Sequence, residues 1–278
     1  MKLILSICFL VSFALHAQVE NNFRGSGNLV IGKIDTIWSN KLGEARILNI
    51  YLPPSYNLKT DSVIYCPVIY LLDGSYDEDF IHVAGLVQYA NFSWINWLPE
   101  SIVVGIANVD RQRDFTYPTT VEKDKKDFPT TGGSKQFIYF IEEEIFPYIK
   151  SHYRVTDSKM IIGQSLGGLL ATEILVKYPT MFDDYVIVSP SLWWDNESLL
   201  KSVDGFSKNI SKTKRVYLAV GNEEKIMVDD AKKLHELIVK NTNNVIQLNY
   251  EYFNDLDHAT ILHQAVYNAF RNFSKRKK

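Results

Sequence analysis

Apolar and polar positions along the chain sort into two kinds of segment that alternate. Residues 63–72, 102–107, 160–163, 185–189 and 216–221 are largely continuous apolar runs, as expected of strands covered on both faces. Residues 29–38 and 45–52 show partial polar/apolar alternation across a short glycine-containing connection, which predicts an antiparallel hairpin at one edge of the sheet. A run at 245–253 brings the expectation to about eight strands. Between them, 80–98, 134–151, 166–178, 227–240 and 259–273 carry helical spacing. In the second of these helices Phe137, Ile141, Ile145 and Tyr148 recur on one face while Glu142, Glu143 and Glu144 face water, and Pro147 is expected to end or bend it. Strands alternating with helices predict an α/β fold with a mostly parallel sheet and helices on both faces. No repeat or low-complexity linker divides the chain, so one domain is expected over 18–278.

One connection is long for a compact domain. Residues 110–133 hold five acids and five bases with Pro118, Pro129, Gly132 and Gly133 as breakers, so the segment is read as a charge-balanced surface loop, either functional or a mobile insertion.

Composition narrows the function. With 30 Lys and Arg against 32 Asp and Glu, the chain of 278 residues has a formal charge of −2 and no basic excess to neutralise phosphates, so nucleic acid is not an expected partner. The N-terminal 17 residues, with Lys2, an apolar run over 3–15 and a small Ala17, match a secretory signal peptide and are too short for a membrane span. Cleavage near Ala17 would leave an exported chain, periplasmic or extracellular, without a span of its own. Cys8 lies inside the apolar run rather than at the cleavage point, so a lipidated cysteine is not expected. Cys66 would then be alone, without a disulfide, and reads as a small buried hydrophobe.

The sharpest chemical signal is Gly163-Gln164-Ser165-Leu166-Gly167, followed by Gly168, between a short strand and an apolar helix. Glycines two before and two after a serine permit the tight strand-to-helix turn that exposes a nucleophilic hydroxyl. A serine hydroxyl needs a base in hydrogen-bond reach and a third group to orient that base. Of the downstream histidines, His235 and His263 fall inside amphipathic helices, whereas His258 sits in Asn254-Asp255-Leu256-Asp257-His258 between the last strand and the last helix and is the expected base. The acid is expected just after the next-to-last strand, where Glu223 and Glu224 both qualify. Two backbone donors for an oxyanion are expected from the N–H of Leu166 and, in the turn after the third strand, of Ser75.

Tyr70-Leu71-Leu72-Asp73-Gly74, Arg113-Asp114-Phe115-Thr116, the Ser165 motif and Ser189-Pro190-Ser191-Leu192-Trp193-Trp194 together resemble the putative-esterase (esterase D-like) branch of the α/β-hydrolases, and within it the siderophore-esterase-like group. The resemblance runs from about residue 48 to the C-terminus. It implies an α/β-hydrolase sheet of eight strands, a serine acyl-enzyme mechanism and no cofactor or metal. The family pattern sets the acid about three residues after Gly221, which favours Glu224 over Glu223. Asp73, Gly74 and Arg113 in these motifs are expected substrate contacts. So are Trp193 and Trp194, which follow the C-terminal end of a strand, where ligands bind in open α/β sheets. Tyr76, Phe115, Tyr117 and Tyr185 are further aromatic candidates for the same pocket. The expected activity is hydrolysis of a small siderophore or carbohydrate-linked ester, with short or aromatic acyl groups. An acyltransferase using the same residues and a non-catalytic binding protein on this scaffold are the alternatives.

Overall fold

A computed structural model describes residues 27–58, 63–242 and 245–274; the expected signal peptide lies outside them. From Ile31 onward the chain forms one compact unit. Its eight-stranded sheet runs β1 (Gly32–Ser39), β2 (Glu44–Tyr51), β3 (Cys66–Leu71), β4 (Ile102–Ile106), β5 (Val155–Gln164), β6 (Asp184–Val188), β7 (Lys214–Gly221) and β8 (Ile246–Phe253). In space the order is β1-β2-β4-β3-β5-β6-β7-β8. β1 and β2 form the predicted edge hairpin, β2 pairs antiparallel with β4, and every later pairing is parallel.

Alternate strand residues feed two cores. Ile69, Leu71, Val103, Ile162, Val186 and Ala219 pack under α1 (Phe80–Asn91) and α9 (Ile261–Ser274). On the other face Val68, Tyr70, Val104, Ile161, Ile187 and Leu218 meet α4 (Ser134–Phe140), α5 (Phe146–His152), α6 (Leu166–Lys177) and α8 (Lys225–Asn241), and α7 (Trp194–Lys201) adds Trp194, Leu199 and Leu200 to the same core. The runs of β4 and β6 are buried at every residue, which explains why they carry no polar alternation. Cys66 is buried in the second core, and that burial pushes its thiol up to about 11.

The helices differ from expectation at two points. The helix predicted over 80–98 stops at Asn91, and the chain folds back so that Trp97 and Leu98 donate to the Ala90 carbonyl. Pro147 does not end the helix it occupies. A π-helical turn over Ile141–Ile145 precedes it and α5 continues to His152, so the proline falls at the first turn of α5, where a missing N–H is tolerated. That wide turn also aims Glu144 at the β1–β2 connection, where its carboxylate accepts from the Ser39 hydroxyl at 2.5 Å and the Asn40 N–H at 2.9 Å.

The 110–133 segment is built into the molecule. It contains α2 (Arg111–Phe115) and α3 (Glu122–Asp127), and its start is anchored by Arg46, fully buried, which pairs with Asp114 at 2.6 Å and donates to the Ala107 carbonyl at 3.0 Å. Burying a charge is costly unless it is paired and hydrogen-bonded; Nη1 and Nη2 of Arg46 meet this requirement, while its buried Nε has no partner.

Candidate active site

The C-terminal ends of β5, β6, β7 and β8 converge on a cavity of about 520 Å³ lined by Ser165, Ser191, Trp193, Glu223, Glu224 and His258, among others. A volume of this size suits a small-molecule ligand.

Ser165 occupies the turn between β5 and α6 with φ 58° and ψ −121°, a conformation that costs an L-residue free energy and persists only when its surroundings enforce it. The enforcement is visible: the Ser165 N–H donates to the Val188 carbonyl at 3.0 Å, and the Ser165 carbonyl accepts from Leu169 N–H at 2.9 Å and Ser191 N–H at 3.1 Å. The turn is tight enough that a Cβ on Gly163 would meet the Gly167 carbonyl oxygen at 2.4 Å, and one on Gly168 the Val188 carbonyl oxygen at 2.9 Å. Leu166 is the first residue of α6, so its N–H has no acceptor within the helix and lies where the helix end is positive.

His258 stands on the loop between β8 and α9. Its backbone carbonyl accepts from the Gln164 side chain at 2.5 Å, and Nδ1 lies 2.6 Å from Oε2 of Glu223. The carboxylate beside the histidine is therefore Glu223, the alternative of the two expected acids, and not the favoured Glu224. The reason is the way the chain leaves β7. The Gly221 N–H donates to Oε1 of Glu223 at 3.0 Å, the Ser189 hydroxyl donates to the same oxygen, and Asn222 N–H holds the Leu256 carbonyl at 2.7 Å, which brings the histidine loop alongside. Glu223 is left with only 3 % of its side chain exposed. Glu224, one residue on, precedes α8 and is exposed on the cavity rim. Burial pushes the Glu223 carboxyl up, but the hydrogen bonds from His258, Ser189 and Gly221 outweigh it and hold the group below the usual carboxylate range.

The other expected contacts divide. Trp193 lines the cavity, backed by Phe128 of the 110–133 segment with ring centroids 6.1 Å apart. Trp194 is wholly buried, with Nε1 donating to the Tyr117 carbonyl at 2.8 Å, so its expected substrate contact is corrected to a core role. Phe115, Tyr117 and Tyr185 are also buried, while Tyr76 is exposed. Arg113, an expected contact, does not line the cavity: its guanidinium pairs with Glu44 at 2.6 Å and Asp114 at 2.8 Å, alongside buried Arg46. The arginine that turns toward the nucleophile loop is Arg111, two residues earlier, which grips Asp73 with two hydrogen bonds of 2.6 and 2.9 Å and approaches the Gln164 carbonyl at 3.4 Å. Asp73 thus shapes the turn, at φ 53°, with Asn108 donating to it at 2.7 Å. Gly74 is demanded by close approach, since a Cβ there would meet Gly105 Cα at 2.4 Å. Ser75 N–H, the second expected oxyanion donor, is held by the Glu78 carboxylate at 3.1 Å.

His235 packs near Tyr250, and His263 shares a 2.7 Å contact with His82 between α1 and α9. Sequence reasoning passed over Gln164, Ser189, Ser191 and Arg111. Gln164 lies within the motif around Ser165, and Ser189 and Ser191 within the stretch that ends at Trp194, yet their partners are 26 to 94 residues away. Among the described residues no group of three His, Cys, Asp or Glu side chains is placed to hold a metal ion, and no helix is long and apolar enough to cross a membrane.

Known proteins share this architecture and sequence. The family model described as "Putative esterase" matches residues 39–271. Ferri-bacillibactin esterase BesA of Bacillus subtilis is 31% identical over 225 residues, covering 74% of this chain and 78% of its own. Among solved structures, an IroE-like serine hydrolase from Shewanella oneidensis superposes with a TM-score of 0.79 at 28% identity, covering 88% of this chain and 80% of that one. The BES protein from Bacillus cereus superposes with a TM-score of 0.78 at 26% identity, covering 90% of this chain and 97% of its own. A match over most of the chain, on an eight-stranded sheet of the same design, establishes that this protein belongs to the putative-esterase family of α/β-hydrolases.

Proposed function

We propose that the protein hydrolyses a small siderophore-type ester through an acyl-enzyme on Ser165, with His258 as general base and Glu223 as the acid that orients it. The observation that carries this reading is the 2.6 Å contact between His258 Nδ1 and Glu223 in the cavity onto which Ser165 also opens. Ser165 Oγ attacks the ester carbonyl carbon while its proton passes to His258 Nε2. The carbonyl π electrons move to oxygen, which is met by the N–H groups of Leu166 and of Ser75, the latter exchanging Glu78 for the substrate. Glu223 holds Nδ1–H and stabilises the imidazolium, which then protonates the leaving alcohol. Water, deprotonated by the same histidine, releases the acid and restores Ser165.

The substrate class is suggested by a relative's name: the B. subtilis protein whose match covers 74% of this chain is a ferri-bacillibactin esterase. The indole of Trp193 offers an apolar wall for the acyl or alcohol part. We place the mature protein outside the cytoplasm, after cleavage near Ala17, on the pattern of residues 1–17.

The test is covalent labelling. A fluorophosphonate should modify Ser165 stoichiometrically, and Ser165→Ala should abolish both labelling and hydrolysis of aryl, acetyl, feruloyl and catecholate-serine esters. Labelling at another serine, or full activity in the alanine variant, overturns the assignment. A competing alcohol added to the assay separates hydrolysis from acyl transfer.

A further inference from the structure

The Ser189-Pro190-Ser191 segment at the end of β6 touches both ends of the Ser165, His258, Glu223 constellation. Ser191 Oγ lies 3.3 Å from Ser165 Oγ, Ser191 lines the same cavity although only 3 % exposed, and its N–H holds the Ser165 carbonyl at 3.1 Å. Ser189, two residues earlier and wholly buried, donates its hydroxyl to Oε1 of Glu223. The spacing is imposed from below. Ser189 sits at φ 41°, with its N–H on the Ala219 carbonyl at 2.7 Å, and Pro190 packs so closely on Gly168 that a Cβ there would come within 3.0 Å of Pro190 Cα. A left-handed, non-glycine residue held this firmly sends the two hydroxyls to different partners, one to the acid and one to the nucleophile.

We propose that this turn supplies two further residues to the reaction: Ser191 as a catalytic hydrogen-bond donor to Ser165 Oγ, and Ser189 as a positioning residue for Glu223. The inference rests on the esterase reading of Ser165. In the resting enzyme either serine hydroxyl can donate to the other. Once the Ser165 proton has passed to His258 Nε2, only donation from Ser191 to Ser165 remains, so the contact strengthens as charge develops on Ser165 Oγ during attack. It does so again when Ser165 Oγ departs from the acyl group. No proton leaves Ser191 in either step. In the acyl-enzyme, Ser165 Oγ is an ester oxygen and a poor acceptor, so the donation is worth more in the transition states than in the states between them, as acceleration requires. Ser189 works one atom further out: it occupies Oε1 and leaves Oε2 as the face that Glu223 turns to His258.

The experiment uses the full mature chain and reads fluorophosphonate inactivation, kcat and KM on one aryl ester, and thermal stability. Ser191→Ala should slow inactivation and kcat by ~10- to 100-fold with KM little changed, the loss expected for one donor to a developing charge. Ser191→Thr, which keeps the hydroxyl, should recover most of the rate. Ser189→Ala should lower kcat ~10-fold in the wild-type background and have almost no further effect on top of Glu223→Gln, because its action passes through that carboxylate. Inactivation of Ser191→Ala at the wild-type rate overturns the catalytic role of Ser191, as does equal impairment of the alanine and threonine variants with a lowered Tm. Full additivity of Ser189→Ala with Glu223→Gln overturns the positioning role. Failure of the parent reading looks different, since the wild-type chain would then not be labelled at Ser165 at all.

Discussion

Replacing Glu223 by glutamine keeps the size of the side chain and removes its charge, so it tests the acid directly. The carboxylate has three donors around it: His258 Nδ1 at 2.6 Å on Oε2, with Gly221 N–H at 3.0 Å and the Ser189 hydroxyl on Oε1. Glutamine has one acceptor oxygen and one NH₂. If the oxygen stays with Gly221 and Ser189, the NH₂ faces His258 Nδ1 and forces the ring proton onto Nε2, the tautomer that cannot accept from Ser165. If the amide flips, its NH₂ opposes the Gly221 N–H, donor against donor, in a site almost closed to water. The first arrangement costs rate and the second costs stability as well. By analogy with other triads, kcat should fall by ~10³ to 10⁴, with a stability loss of about 1–3 kcal/mol for the mismatched donor. The stability loss should also depend on pH. The folded-state pKa of Glu223 is depressed, so its stabilisation is present above its unfolded value of 4.5 and is lost as pH falls through the folded value. The Tm gap between wild type and variant should therefore close in acid. Titrated active-site concentration, kcat on an aryl ester and melting curves across pH 3–8 supply the measurements. A Glu223→Gln enzyme within ~10-fold of wild type, or a larger loss in Glu224→Gln, would refute the reasoning.

Three further outcomes follow from side chains outside the acid. Gln164→Ala removes the anchor on the His258 carbonyl and should lower kcat ~10-fold without preventing fluorophosphonate labelling; unchanged kcat would show that the histidine loop needs no such tether. Trp193→Ala should raise KM for aromatic esters while leaving the fold intact, whereas Trp194→Ala should destabilise the protein by ~3–5 kcal/mol, because only the second is a fully buried indole; equal melting temperatures would contradict this. Asp230 is 3 % exposed, has an unpartnered Oδ2, and is pushed up to about 6 by burial, with Glu197 adding to the effect. A raised carboxyl pKa means that stability is highest below the unfolded value and falls as pH rises through 6, so Asp230→Asn should stabilise the chain by up to ~3 kcal/mol at pH 8 and by nothing at pH 3. A stabilisation independent of pH would show that charge is not the cause.

The sequence alone determined the features that depend on short-range rules. Uninterrupted apolar runs specify strands covered on both faces, and they placed β3 to β7 in a parallel sheet. The glycine spacing around Ser165 specifies a tight strand-to-helix turn, because the Gly163 and Gly167 backbones must pass within contact distance. His258 was legible as a candidate because a histidine in a loop between strand and helix has no packing periodicity to account for it. What the sequence left open are choices between neighbours of the same chemistry. Glu223 and Glu224 are adjacent carboxylates, and the one that turns inward is decided by the Gly221 N–H and by Ser189, 34 residues away. Arg111 and Arg113 are two apart on one short helix, and buried Asp114 with Glu44 claims the second, leaving Asp73 to the first. Trp193 and Trp194 differ only in which side of one backbone turn they occupy, so one lines the cavity and the other fills the core. Local pattern sets which residue types occupy a segment, but the direction of each side chain is set by hydrogen-bond partners and packing that only the folded sheet brings within reach.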